Sequence, residues 1–190
     1  MIRRAFGIML LTLTGVAARA AADDLDELMR LLAARQHGQV DFVEQHFLAL
    51  LTRPVESWGE LFYDAPDRLE KRTLEPRPES LVLAGDVLTI RRGRHSHVLD
   101  IKAYPQVLPF VESIRATLAG DRGALERAFR VEHTGNLERW TLILVPRESA
   151  VAKTISQVRI DGSRDTLRTV EIREVDGDRS LMTLRDHPAP

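Results

Sequence analysis

The sequence predicts an α+β fold: one long antiparallel sheet, preceded by a helix and interrupted once by a helical insert. Three observations carry this. Runs with an apolar residue at nearly every second place recur from Trp58 to Tyr104 and again from Trp140 to Asp186. The links between them, Gly85-Asp86, Arg92-Gly93-Arg94, DGSRD (161–165) and DGDRS (176–180), are hairpin links, too short for parallel crossovers. From Pro105 to Phe129 the apolar period changes to that of a helix.

In chain order, DDLDELMRLLAARQ sets Leu25, Leu28, Met29 and Leu32 at helical spacing, with Asp23 or Asp24 as the expected N-cap and Arg35 near the C-terminal end. VDFVEQHFLALL has no clean period, but its Val and Phe content and the Thr52-Arg53-Pro54 that follows favour a strand leading to a turn. WGELFYDAPDRLEKR reads as two strands broken at Ala65-Pro66, with Leu61 and Tyr63 on one face and Glu60, Phe62 and Asp64 on the other. Pro66 cannot donate to a ladder and so marks a turn or an edge. ESLVLAG, DVLTIRR and SHVLDIKAY continue as hairpins. Val107, Phe110, Val111, Ile114 and Leu118 then share a helix face, Gly120 ends that helix, and Asp121 caps a second, GALERAF, with Leu125 and Phe129 on one side. WTLILVP is apolar on both faces, which predicts a central strand or one covered on both sides. After the polar interval RESAVAKT come three further strands, ISQVRIDG, DTLRTVEIREV and SLMTLRD.

The N-terminus has the shape of a leader. Arg3 and Arg4 precede an apolar run from Ala5 to Ala18, and Ala18 and Ala20 fit a small-residue cleavage site, with cleavage after Ala22 as an alternative. Residues 1–20 are therefore expected to be a cleavable signal peptide and 21–190 a single domain. With no cysteine after the apolar run or anywhere else, there is no lipid-attachment site and no disulfide framework, so the core must hold by packing. Loss of Arg3, Arg4 and Arg19 leaves 24 of the 27 basic side chains against 28 acidic ones, a net charge of −4 with neutral His. Such a chain is not suited to nucleic acid or an anionic membrane through charge.

Catalytic chemistry finds little support. His95 and His97 alternate as two metal ligands would, but they sit beside Gly93 at a hairpin tip with no third ligand nearby, which fits a solvated turn; no metal site is expected. No nucleophile elbow is present, and Ser96, Ser163 and Ser180 lie at or beside polar turns. Acid pairs such as Glu171 with Glu174 are expected on exposed faces of a chain with 28 carboxylates. No glycine-rich phosphate loop follows a strand, so no cofactor and no enzyme activity is expected.

Apolar surface remains. The sheet supplies Leu61, Leu83, Leu88, Ile90, Leu99, Leu142, Leu144, Ile160, Val170 and Ile172, and the insert supplies Val107, Phe110, Val111, Ile114 and Leu118. Pattern alone favours a packed core over a pocket, because both draw on the same residue types and periodicity does not separate them.

The order of elements resembles the periplasmic lipoprotein carriers called LolA. The residues that carry the likeness are the Phe42 to Phe47 strand region, Gly59 with Leu61 and Pro66, the strand end at Gly85-Asp86 and the closing Asp176 to Ser180. The insert from Ala103 to Phe129 is similar to a divergent branch of that family, some members of which are associated with export of lipid-like polyene pigments. The resemblance implies a curved, incomplete antiparallel β-barrel whose concave face is covered by helices over an apolar cavity. It implies a soluble periplasmic carrier of a lipoprotein or lipid-like cargo, with an inner-membrane exporter and an outer-membrane acceptor as partners; a monomer is expected. The expected cargo-binding residues are Leu61, Leu83, Leu88, Leu99, Val107, Val111, Ile114, Leu118, Leu142, Leu144, Ile160 and Val170. Glutamate at Leu142 or Ile114 is expected to abolish binding with the fold intact. Main-branch carriers have an Arg just before the Pro of the second strand motif, thought to hold the helical lid; here Ala65 stands there, with Arg68, Lys71 and Arg72 as candidate substitutes. A rival reading is an envelope sensor or binding module that uses the same sheet without transporting lipid.

Overall fold

Each short link closes a hairpin. The computed structural model describes residues 14–104 and 108–187. Helix α1 (Thr14–Ala33) leads into β1 (His37–Phe47), β2 (Val55–Asp64), β3 (Arg68–Glu75), β4 (Glu79–Ala84), β5 (Val87–Arg92) and β6 (His95–Asp100). The helical insert follows as α2 (Leu108–Leu118) and α3 (Arg122–Ala128). The chain ends with β7 (Phe129–Asn136), β8 (Arg139–Pro146), a one-turn α4 (Ser149–Ala152), β9 (Ile155–Ser163), β10 (Thr166–Glu174) and β11 (Arg179–Asp186).

These strands form a single sheet in the order β6-β5-β4-β3-β2-β1-β11-β10-β9-β8-β7. Two meanders, before and after the insert, are therefore joined by one non-sequential pairing, β1 with β11, in register from Val40↔Asp186 to Phe47↔Arg179. With β6 and β7 as free edges the curved sheet is an incomplete barrel, and the helices lie on its concave side.

The insert behaves as its sequence requires. Gly120 adopts φ +63, and a Cβ there would stand 2.1 Å from the Met29 carbonyl oxygen, so glycine both ends α2 and admits α1 against it. The Asp121 carboxylate accepts from the Ala124 amide at 2.8 Å and caps α3.

Three readings need correction. Asp23 and Asp24 lie within α1 and not at its start, because the helix runs unbroken from Thr14 through the Ala-rich stretch before them. RESAVAKT contains α4, and RVEHTGN, which the pattern left unassigned, forms the edge strand β7. WTLILVP is not central but one strand from the edge; Trp140, Leu142 and Leu144 are buried, while Thr141, Ile143 and Val145 are half-buried.

The densest packing lies where α1 and α3 meet β7 to β10. Leu28 and Leu32 of α1, Leu125 of α3, and Leu142, Leu144, Val158 and Ile160 of the sheet are essentially inaccessible to solvent. Trp140 closes one side, its indole N–H donating to the Arg164 carbonyl at 2.9 Å and its ring lying over Gly162, its partner in register. A Cβ on Gly162 would stand 2.1 Å from that ring. Gly162→Ala is expected to cost about 1–3 kcal/mol of stability by overpacking, read from urea unfolding midpoints.

Candidate functional site

The other half of the concave face is not filled by the described residues. Between α2 and strands β1 to β5, β10 and β11 lies a cavity of about 260 Å³. That is just below the ~300–1,000 Å³ of ordinary small-molecule pockets. Helix α2 supplies Val111, Ile114 and Leu118, one turn apart on one face, while its other face presents the buried Ser113, Ala116 and Thr117. Small residues there, with the Thr117 hydroxyl donating to the Ser113 carbonyl at 2.7 Å, let α2 pack closely against its helical neighbours. The sheet wall is made by residues that share a face across the ladders. Leu61 stands opposite Val40 and Lys71, Leu83 opposite Leu69 and Leu88, and Val170 opposite Met182.

Of the side chains singled out in the sequence, Leu61, Leu83, Leu88, Val111, Ile114, Leu118 and Val170 line this space. Leu142, Leu144 and Ile160 do not; they face α1 and α3, which fill that part of the hollow, and are 0% exposed. Leu99 is opposite Leu88 in register but lies on the edge strand, outside the cavity wall. Val107 lies outside the described residues. Leu69, Leu81, Met182 and Leu184 also line the cavity and continue the alternation of their strands. Because Leu142 is core, Leu142→Glu would bury an uncompensated carboxylate and unfold the protein, so it cannot serve as a binding-site variant.

One wall is polar. Glu44 points inward from β1, in line with Val40 and Phe42, and is 6% exposed. Lys71 of β3 reaches across β2 to donate to it, the Ser180 hydroxyl donates at 3.1 Å and the Ser57 hydroxyl at 3.4 Å. His46 Nε2 stands 3.3 Å from the same carboxylate, and the Lys71 ammonium lies 5.0 Å from the centre of the Phe42 ring. Burial alone would raise the carboxyl pKa, but hydrogen bonds from His46 and Lys71 and their positive charge outweigh it and lower the value to about 2. Glu44 is thus an ionised group held inside an otherwise aliphatic wall.

The hydrogen bond to Glu44 raises the pKa of His46 above 6.5 despite partial burial. A raised value means that the protonated ring favours the folded state, fully below pH 6.5, and that this contribution disappears as pH rises through the folded pKa. Wild type is therefore expected to lose more of its urea stability than His46→Gln between pH 6 and pH ~8.5.

Among the described residues the other charged groups on the cavity wall are paired as well. Arg35 donates to Asp165 at 2.8 and 3.0 Å, and Glu70 accepts from Arg72 at 3.0 Å. Of the three candidates for holding the lid, only Lys71 lines the cavity, and it binds β1 and not a helix; Arg68 and Arg72 pair with Asp64, Glu60 and Glu70 and do not line the cavity. The tether between α2 and the sheet is Arg115, whose Nη1 donates to the Gly85 carbonyl at 3.0 Å. Tyr63 also lines the cavity, 5% exposed, and among the described residues its hydroxyl has no hydrogen-bond partner.

His95 and His97 are exposed on β6. His187 meets Asp41 at 2.7 Å near Glu60, on the outer side of the sheet. Among the described residues no helix is long and apolar enough to cross a membrane.

Among solved structures, the chain is similar to the LolA superfamily protein NE2245 from Nitrosomonas europaea, at 11% identity, with 90% of this chain and 94% of that chain covered and a TM-score of 0.44. It is similar to the Pseudomonas aeruginosa MucA/MucB complex at 18% identity, covering 88% of this chain and 59% of that one, with a TM-score of 0.47. The lipoprotein LppX of Mycobacterium tuberculosis shares 10% identity over 87% of this chain and 97% of that chain, with a TM-score of 0.44. No functionally curated protein matches the chain significantly in sequence. The family described as "outer membrane lipoprotein carrier protein LolA-like" matches residues 17–186. By that match, which takes in both meanders and the insert between them, the chain belongs to the LolA-like family of outer membrane lipoprotein carrier proteins.

Proposed function

We propose that the protein is a periplasmic carrier that takes up the acyl chain of a lipoprotein, or a lipid-like cargo, in the cavity beneath α2, and passes it from an inner-membrane exporter to an outer-membrane acceptor. The observation that carries this reading is the unfilled aliphatic hollow in a chain of this family. Each methylene removed from water contributes ~0.8 kcal/mol, so an acyl chain does not cross an aqueous compartment unaided at a useful rate, and a reversible pocket without a chemical step suffices. The proposal includes a leader at residues 1–20, cleaved after Ala20 or Ala22, a single mature domain and a monomeric carrier.

The cavity is small for several acyl chains at once, so α2 must shift as cargo enters. Its tether to Gly85 through Arg115 is the contact to break. Arg115→Ala is expected to speed ligand release by roughly three- to tenfold, the equivalent of one hydrogen bond, as measured by stopped-flow dye displacement.

The reading is tested by titration with an apolar solvatochromic dye. Saturable one-to-one binding, reversed by acyl ligands, supports it. Absence of saturation overturns it, and a stable protein complex formed without lipid would point to the sensor module instead.

A further inference from the structure

Resting on the carrier reading, we infer that the Tyr63 hydroxyl selects cargo by hydrogen-bonding a neutral oxygen, an ester or amide carbonyl or an alcohol, on an otherwise aliphatic ligand. Two independent observations lead there. Tyr63 is 5% exposed and forms part of the cavity wall, yet among the described residues its hydroxyl is without a partner. A buried hydroxyl left unpaired is destabilising, and such groups in folded proteins are ordinarily satisfied by protein, water or ligand. The second observation is the charge arrangement. Among the described wall residues, Lys71 is engaged by Glu44 and Arg35 by Asp165, which leaves no uncommitted cation to receive a carboxylate or phosphate.

The surroundings of Tyr63 fit a neutral acceptor. Burial, with the negative charge of Asp67, raises the phenol pKa, so the group stays a protonated donor at physiological pH. The same Asp67 charge disfavours an anionic group beside it. Position matters too: Tyr63 pairs with Leu69 across the ladder and lies two residues beyond Leu61, so an oxygen held there leaves the attached chain against Leu69 and Leu83. Tyr63 thus acts as a reader of polarity at one point of an apolar channel, while the bulk of the binding free energy comes from the chain.

The test compares methyl decanoate, decanoate and decane at pH 7.5 as displacers of a bound apolar dye, on wild type and on Tyr63→Phe, which keeps the ring and its packing. Expected is that wild type binds methyl decanoate more tightly than either other ligand, and that Tyr63→Phe weakens the ester roughly three- to tenfold while leaving decane unchanged. Equal loss for ester and decane, or no loss for either, overturns the role of the hydroxyl but leaves the carrier reading standing. Tighter binding of decanoate than of the ester overturns the preference for a neutral group. If none of the three displaces the dye, or no dye binds, the carrier reading fails and this inference falls with it.

Discussion

Ile114→Glu lowers affinity for apolar ligands by at least about a hundredfold while far-UV circular dichroism stays that of the folded protein. Ile114 lies on the cavity face of α2 between Val111 and Leu118 and is half-buried. A carboxylate there either remains hydrated, drawing water into the hollow, or is desolvated against an acyl chain, and each course costs several kcal/mol of binding. Stability suffers less than at Leu142, because a side chain at the cavity can reach water whereas one at Leu142 meets only core. Ile114→Leu, which keeps the volume, is the control and should retain affinity within a few-fold. Equal affinity of Ile114→Glu and wild type would place the ligand elsewhere.

Lys71→Met lowers the unfolding free energy by about 3 kcal/mol at pH 7, although it replaces a charge by an apolar side chain in an apolar wall. What is lost is the partner of a carboxylate that is 6% exposed, and removing one member of a buried pair costs ~3–5 kcal/mol. The carboxyl itself sets the scale for its partners taken together, His46 and Lys71. A pKa lowered from 4.5 to about 2 is equivalent to roughly 3 kcal/mol of stabilisation, present above pH 4.5 and lost as pH falls through about 2. Equilibrium urea unfolding at pH 7 checks the loss. The double variant Glu44→Leu with Lys71→Met should recover most of it, since an apolar replacement of both partners leaves no unpaired charge. If the double variant is as unstable as Lys71→Met, the ion pair is not the source.

Strands were most legible where a clear alternation meets a glycine-containing turn, as in Leu81 to Ile90 around Gly85-Asp86. Segment β1 was less so, and the structure shows why. Glu44 and His46 occupy the same alternating set as Val40 and Phe42, so polar groups on the inner face erase the apolar period. An acidic residue in step with two buried apolar ones was the available signal for the Glu44–Lys71 pair. The division of the concave face into core and cavity was not legible at all. Leu144 and Leu83 are the same residue type on equivalent alternating positions, and only the placement of α1 and α3 over one and α2 over the other decides that the first is packed and the second lines a space. Helix placement depends on long-range contacts such as Gly120 against Met29, which no local window contains.

Native mass spectrometry of protein isolated without detergent tests the central claim most directly, namely that the hollow under α2 receives an acyl-bearing guest. Wild type should carry, or take up from added methyl decanoate, one ligand that is shed on denaturation, and Ile114→Glu should show the bare chain under the same conditions. A bare mass for wild type both as isolated and after addition of ligand would contradict the account.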